Sequence, residues 1–130
     1  MTLSYPPAWT SLRYPWVRAE LQDYLAELSN PVETAKWLKP DTQGLVIGIE
    51  QQFHFFFDDH DFDAGEIGYS LLDEAEVAAI AAVKEAMQAI HRTNKTGDNR
   101  YFLDHPLWPS LANAAATALI LLNARGVVSE

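Results

Sequence analysis

Residues 45–57 read LVIGIEQQFHFFF, and the fold turns on how that run is taken. Leu45, Ile47, Ile49, Phe53, Phe55 and Phe57 stand at alternate positions, with Gln51 the one exception. Side chains alternate across a strand, so a period of two predicts an extended segment with one buried face. The other face, Val46, Gly48, Glu50, Gln52, His54, Phe56 and Asp58, is mixed in polarity and suits a half-wet surface. An acidic loop follows at 58–66, and a shorter strand is expected near 67–72, with Gly68 inside it. A loop of about eight residues cannot carry a parallel crossover, so the two strands are expected to pair as an antiparallel hairpin.

Helical periods surround that hairpin. Pro15 suits a first helical position, and Val17, Leu21, Tyr24, Leu25 and Leu28 recur at threes and fours. Arg18, Glu20, Gln22, Asp23 and Glu27 fall on the opposite face in this reading. Asn30 and Pro31 end the first helix and cap a short second one that stops near Pro40. Downstream, Asp73 with Glu76 three residues on forms a capping box for a helix with Val77, Ile80, Val83, Met87 and Ile90 inward. A polar loop is expected over 93–99. A last, alanine-rich helix is expected from Pro106–Pro109 to about Ala124, stopped by Gly126. The expectation is one α+β domain over 1–130, an antiparallel β-hairpin packed on about four helices in the order ααββαα.

Composition narrows the function. The 130 residues carry a formal net charge of −9, which disfavours nucleic acid and anionic membrane as partners. There is no cysteine, so thiol catalysis and disulfides are excluded, and a reducing cytoplasm suits the chain. The first fifteen residues lack a basic segment followed by an apolar run, so no secretory signal is expected. The longest apolar stretch, Leu111–Leu122, is shorter than the roughly 20 residues a membrane span needs.

The charge is also uneven. No lysine or arginine lies between Lys39 and Lys84, yet that span holds ten of the 18 acidic residues. Asp59, Asp61 and Asp63 have the first spacings of an EF-hand loop. Ala64 and Ser70 then stand where the loop needs a glycine and a bidentate glutamate. His54, His60, His91 and His105 show no HxxxH or HExxH spacing, although His54 and His60 could converge with Asp58 or Asp61 across a turn. No cofactor is expected. Phosphate-cradling glycine motifs and a nucleophile elbow are absent. Ser70 has only His54 near it in sequence as a base. Carboxylates gathered at a hairpin tip would steer a basic protein partner, with Phe62 among them as an exposed apolar anchor. The bland alternative is a polar turn that keeps the protein in solution. The aromatic run 98–109, DNRYFLDHPLWP, either lines a groove with Arg100 and His105 or closes the core, with Asp104 or His105 capping the last helix.

The blocks YPWVRAEL (14–21), HFFFDD (54–59), IG…LLDEAE (67–76) and RYFLDHPLWPSLANAA (100–115) resemble a small family of uncharacterised bacterial proteins known chiefly from actinomycetes. The motif positions are Arg18, His54, Asp58, Asp59, Gly68, Tyr101, His105 and Trp108, while residues 40–52 and the His60-Asp61 extension depart from the family pattern. The resemblance implies one compact domain and brings no activity. Size, acidity and the lack of catalytic signatures are similar in class to immunity proteins that neutralise toxins. The sequence thus predicts a non-enzymatic binding protein for a basic partner, with His54, Asp58, Asp59, Asp61, Phe62 and Asp63 as its binding residues. The alternative is a metal- or substrate-binding enzyme using His54, Asp58 and Asp59.

Overall fold

The computed structural model describes residues 4–38, 48–93 and 99–128. Six α-helices stand in it: α1 (Pro15–Ser29), α2 (Pro31–Ala35), α3 (Ile49–Phe53), α4 (Glu74–His91), α5 (Asn99–Asp104) and α6 (Trp108–Asn123). Among the described residues there is no strand; the nearest thing is an isolated bridge between Ile67 and Leu71 inside a turn. The α+β expectation and its hairpin are therefore wrong. Residues 45–47 of the expected strand and 94–98 of the expected loop lie outside the described residues.

The physical reason is visible at α3. The helix runs without a break into a π-helical turn, His54–Asp59. Ile49, Gln52, Phe55 and Phe56 are buried, at offsets of three, six and seven, and Phe53 and Phe57 pack half-buried beside them. Three consecutive phenylalanines satisfy a period of two and a helical period equally well, so alternation carried no information there. The start of the helix is fixed from a distance: Asn99 Oδ1 accepts the Ile49 amide at 2.9 Å, taking the place of a local N-cap. Gly48 makes this possible, with φ at 117° and no room for a Cβ, which would meet Asn99 Oδ1 at 2.5 Å.

Three long helices make the frame. α6 packs against both α1 and α4. Its inner stripe is Leu111, Ala115, Ala118 and Leu122, and the two alanines let the helices approach closely. α4 contributes Ile80, Val83, Met87 and Ile90, and α1 contributes Leu21, Leu25 and Leu28. α1 starts at Pro15 as the sequence predicts, and Asn30 caps α2 through the Val32 amide at 2.9 Å. Asp73 caps α4 by accepting the Glu76 amide at 3.2 Å. α5 is a helix the sequence reading missed; its Phe102 is buried against Phe53.

Two buried positions on α1 also depart from expectation. Arg18 and Gln22, read as facing water, are both buried. Gln22 Nε2 donates to Asn123 Oδ1 and to the Gly126 carbonyl, tying α1 to the segment after α6. The arm 4–14 lies along the same end, with Trp9 buried and its Nε1 donating to the Arg125 carbonyl at 3.2 Å.

Candidate functional site

The acidic stretch starts on the π-helical turn and continues into a bend. His54 Nδ1 and Asp58 Oδ2 are 2.7 Å apart, one helical turn from each other, with side chains 60% and 65% exposed. Asp59, Asp61 and Asp63 are exposed as well. Asp63 accepts the Gly65 amide at 2.9 Å and so starts the 3-10 turn Ala64–Glu66. Lys84 donates to the Asp61 backbone carbonyl at 2.6 Å, not to a carboxylate, and its ammonium sits over the Phe57 ring. Among the described residues, no lysine or arginine forms an ion pair with Asp59, Asp61 or Asp63. The acids are gathered, but on a helix end and a bend instead of a hairpin tip.

Phe62 is not the exposed anchor expected from sequence. It is 2% exposed and wedged against Phe55, Phe56 and His60. Its φ of 52° lies in the left-handed region, which a bulky side chain enters only when its surroundings impose it. Burial of the ring supplies that imposition. Phe62 therefore pins the acidic bend to the core, and the carboxylates on either side are held outward by it.

No group of three or more histidine, aspartate or glutamate side chains that could hold a metal ion occurs among the described residues. His54 and Asp58 come together; His60 turns instead onto Phe55 and Phe62, at ring distances of 5.0 Å each. Ser70 is buried in a turn, and its hydroxyl donates to Glu66 Oε2 at 2.7 Å.

A second acidic element, absent from the sequence reading, lies where α1 meets the π-helical turn. Tyr24 stacks on Phe55 with centroids 4.1 Å apart and 19° between planes. Burial, and then the charges of Glu20, Glu27 and Asp59, push its phenol pKa above the usual value. Asp23, Tyr24, Glu27 and Gln51 line a depression of about 240 Å³ beside it. Gln52, fully buried, donates to Glu27 Oε1 at 2.8 Å and to the Tyr24 carbonyl at 3.3 Å, while its own Oε1 has no hydrogen-bond partner.

The aromatic run near α5 closes the core more than it opens a groove. Phe102 is buried, and Trp108 meets Trp37 edge-on at 5.9 Å. Arg100, Tyr101, Asp104, His105 and Pro106 do border a surface hollow of about 560 Å³. His105 Nδ1 accepts the Leu107 amide at 3.0 Å, so the neutral ring carries its proton on Nε2 and donates to Thr93 Oγ1 at 3.1 Å. Thr93 also bonds Tyr101 Oη and donates to the Ile90 carbonyl. Both ring nitrogens of His105 are thus engaged in ending α4 and leading into α6.

A buried polar network among the described residues lies elsewhere. Arg18 Nη1 and Nη2 donate to Glu76 Oε1 and Oε2 at 2.6 and 2.7 Å, with both side chains fully buried. Arg125 Nη1 bridges Glu76 Oε2 at 2.8 Å and Asp73 Oδ1 at 2.9 Å. The Leu72 amide donates to Glu76 Oε1, and Trp9 lies under the Arg18 guanidinium. Burial alone pushes the Glu76 carboxyl up; the bonds from Arg18, Leu72 and Arg125 outweigh it, leaving its pKa below the usual glutamate value. Arg125 holds Asp73 low in the same way, and Asp73 and Glu76 raise Arg125 in return. The signal was present in sequence: Glu76 continues the buried series 80, 83, 87, 90 backward, and Arg18 does the same for 21, 25, 28. Opposite charges at core register on two helices point to a buried pair. This one ties four segments together and has a structural role.

The sequence profile of a domain of unknown function, DUF7945, matches residues 12–127. No curated protein and no solved structure matches the chain. That match takes in all six helices, the acidic bend and the Arg18–Glu76–Arg125 network, and the chain belongs to the DUF7945 family.

Proposed function

We propose that the protein is a non-enzymatic binding protein whose acidic face docks a basic protein partner. The observation that carries this reading is the rigid display of unneutralised carboxylates. Asp58, Asp59, Asp61 and Asp63 project from the π-helical turn and the bend that buried Phe62 fastens to the core, and among the described residues only His54 forms an ion pair with any of them. Glu20, Asp23 and Glu27 extend the negative surface along α1. Such a surface raises the association rate of a cationic partner and excludes anionic ones. The partner class that fits is a basic toxin domain, with this chain as its immunity-type inhibitor in an actinomycete cytoplasm, a setting supported by a sequence without cysteine.

The second reading, an enzyme using His54, Asp58 and Asp59, has one observation in its favour, the 2.7 Å His54–Asp58 contact. That contact stands in open solvent, where neither group is desolvated toward an acid–base role.

Binding of a hexalysine peptide at low and high salt tests the docking face. Asp59, Asp61 and Asp63 are changed together to asparagine in one variant. In a control, Glu33→Gln, Glu74→Gln and Asp104→Asn remove the same charge elsewhere. The first variant is expected to associate more slowly and to lose salt dependence, while the control keeps most of both. Equal losses in the two would reduce the effect to net charge and overturn the reading.

A further inference from the structure

We infer that the depression beside Tyr24 receives a single arginine side chain of the basic partner, an inference that rests on the acidic face being a docking surface. Its wall combines two carboxylates with a phenol ring and a carboxamide. Asp23 and Glu27 supply carboxylates, and neither forms an ion pair with a described lysine or arginine. Glu27 is held in place by Gln52, which occupies one of its two oxygens and leaves the other for an incoming donor. Gln52, itself fully buried, also donates to the Tyr24 carbonyl and so fixes two residues of the wall. Tyr24 adds an aromatic surface braced from behind by Phe55, and Glu20 and Asp59 place further negative charge around it.

A guanidinium is the complement of such a wall. It is planar, carries five donors and no acceptor, and stacks on aromatic rings while bonding carboxylates. An ammonium has neither the plane nor the fork. At about 240 Å³ the depression is smaller than the roughly 300–1,000 Å³ of small-molecule sites, and suits one inserted side chain. Arginine is also a residue type in which interfaces concentrate their binding energy. The acids at 58–63 then act as the steering field, and the Tyr24 depression as the place where the partner is read.

The test uses the full chain, isotopically labelled for NMR, with hexa-arginine and hexalysine peptides as probes. Hexa-arginine is expected to bind at least tenfold more tightly than hexalysine and to shift the backbone signals of Tyr24, Glu27 and Gln51 and the side-chain amide of Gln52. Tyr24→Leu is expected to abolish that preference, and Tyr24→Phe, which keeps the ring and guards against a folding artefact, to preserve it. Asp23→Asn, on an exposed position, is expected to weaken hexa-arginine more than hexalysine. Equal affinities with shifts confined to 58–63 would overturn the arginine site and leave the acidic docking face standing. Failure of both peptides to bind would overturn both.

Discussion

Replacing Glu76 by glutamine is the severest single test of how this molecule is held together. The change conserves volume and removes one charge. In the native structure the two Glu76 oxygens receive four bonds, two from Arg18, one from Arg125 and one from the Leu72 amide, at 2.6 to 2.8 Å. An amide offers one oxygen and one NH₂ group, so at least one donor of a guanidinium would face another donor. Arg18, fully buried and with its Nε already unpartnered, would be left an uncompensated cation. Breaking a buried pair from one side costs about 3–5 kcal/mol, a large part of the roughly 5–15 kcal/mol of a typical domain. With a urea m-value of about 2 kcal/mol/M, the unfolding midpoint should fall by roughly 1.5–2.5 M, followed by helical circular dichroism. Changing Arg18 to methionine in the same chain should cost less than the sum of the single changes, because the stranded cation is gone. The pH dependence gives an independent reading. Glu76 and Asp73 both titrate lower in the folded protein than in the unfolded chain. Their contribution is therefore complete above the ordinary carboxylate values and is lost as pH falls through the lowered folded ones. Wild-type stability should decline below about pH 4.5, and Glu76→Gln should flatten that decline. A midpoint shift under about 0.5 M, or an unchanged acid limb, would refute the network as the clamp of the fold.

Other changes probe other parts. Phe62→Ala should destabilise by about 3–5 kcal/mol in thermal or urea melts, since the ring is buried among aromatics; a near-neutral change would return Phe62 to the surface. Asn99→Ala removes the distant cap of α3 and should cost about 1 kcal/mol, with faster hydrogen exchange at the amides of residues 49–52 and little change in α4. Ala118→Leu, at a fully buried position of α6, should cost about 1–3 kcal/mol by overpacking, whereas Ile120→Lys on its exposed side should change stability by less than about 0.5 kcal/mol.

The long helices were legible because each was punctuated and periodic. Pro15, Asn30-Pro31 and Asp73 mark starts, and the stripes of α4 and α6 repeat over several turns. What failed was the segment whose structure is decided elsewhere. Residues 49–59 have Gly48 and no local capping side chain ahead of them, carry a glutamine at a buried position and present aromatics on every face. Their helical state depends on Asn99, fifty residues away, and no local pattern reports that. The geometry of the candidate site was legible only in part for the same reason. That the acids cluster is a property of composition; which of them stand free, and that Phe62 turns inward, follows from packing. The Tyr24 depression joins α1 to α3, and a sequence read as a hairpin does not place those residues together.

The Glu76 carboxylate takes its partners from both directions along the chain, Arg18 lying 58 residues before it and Arg125 49 residues after. During synthesis α4 therefore emerges with one of the four bonds to its buried acid still missing, and it stays missing until α6 and the segment beyond its last turn have left the ribosome. A released chain cut after Asn123 would hold all six helices and still lack its closing bolt. Resistance to protease should rise in one step when the next two residues are restored, not gradually with each helix made.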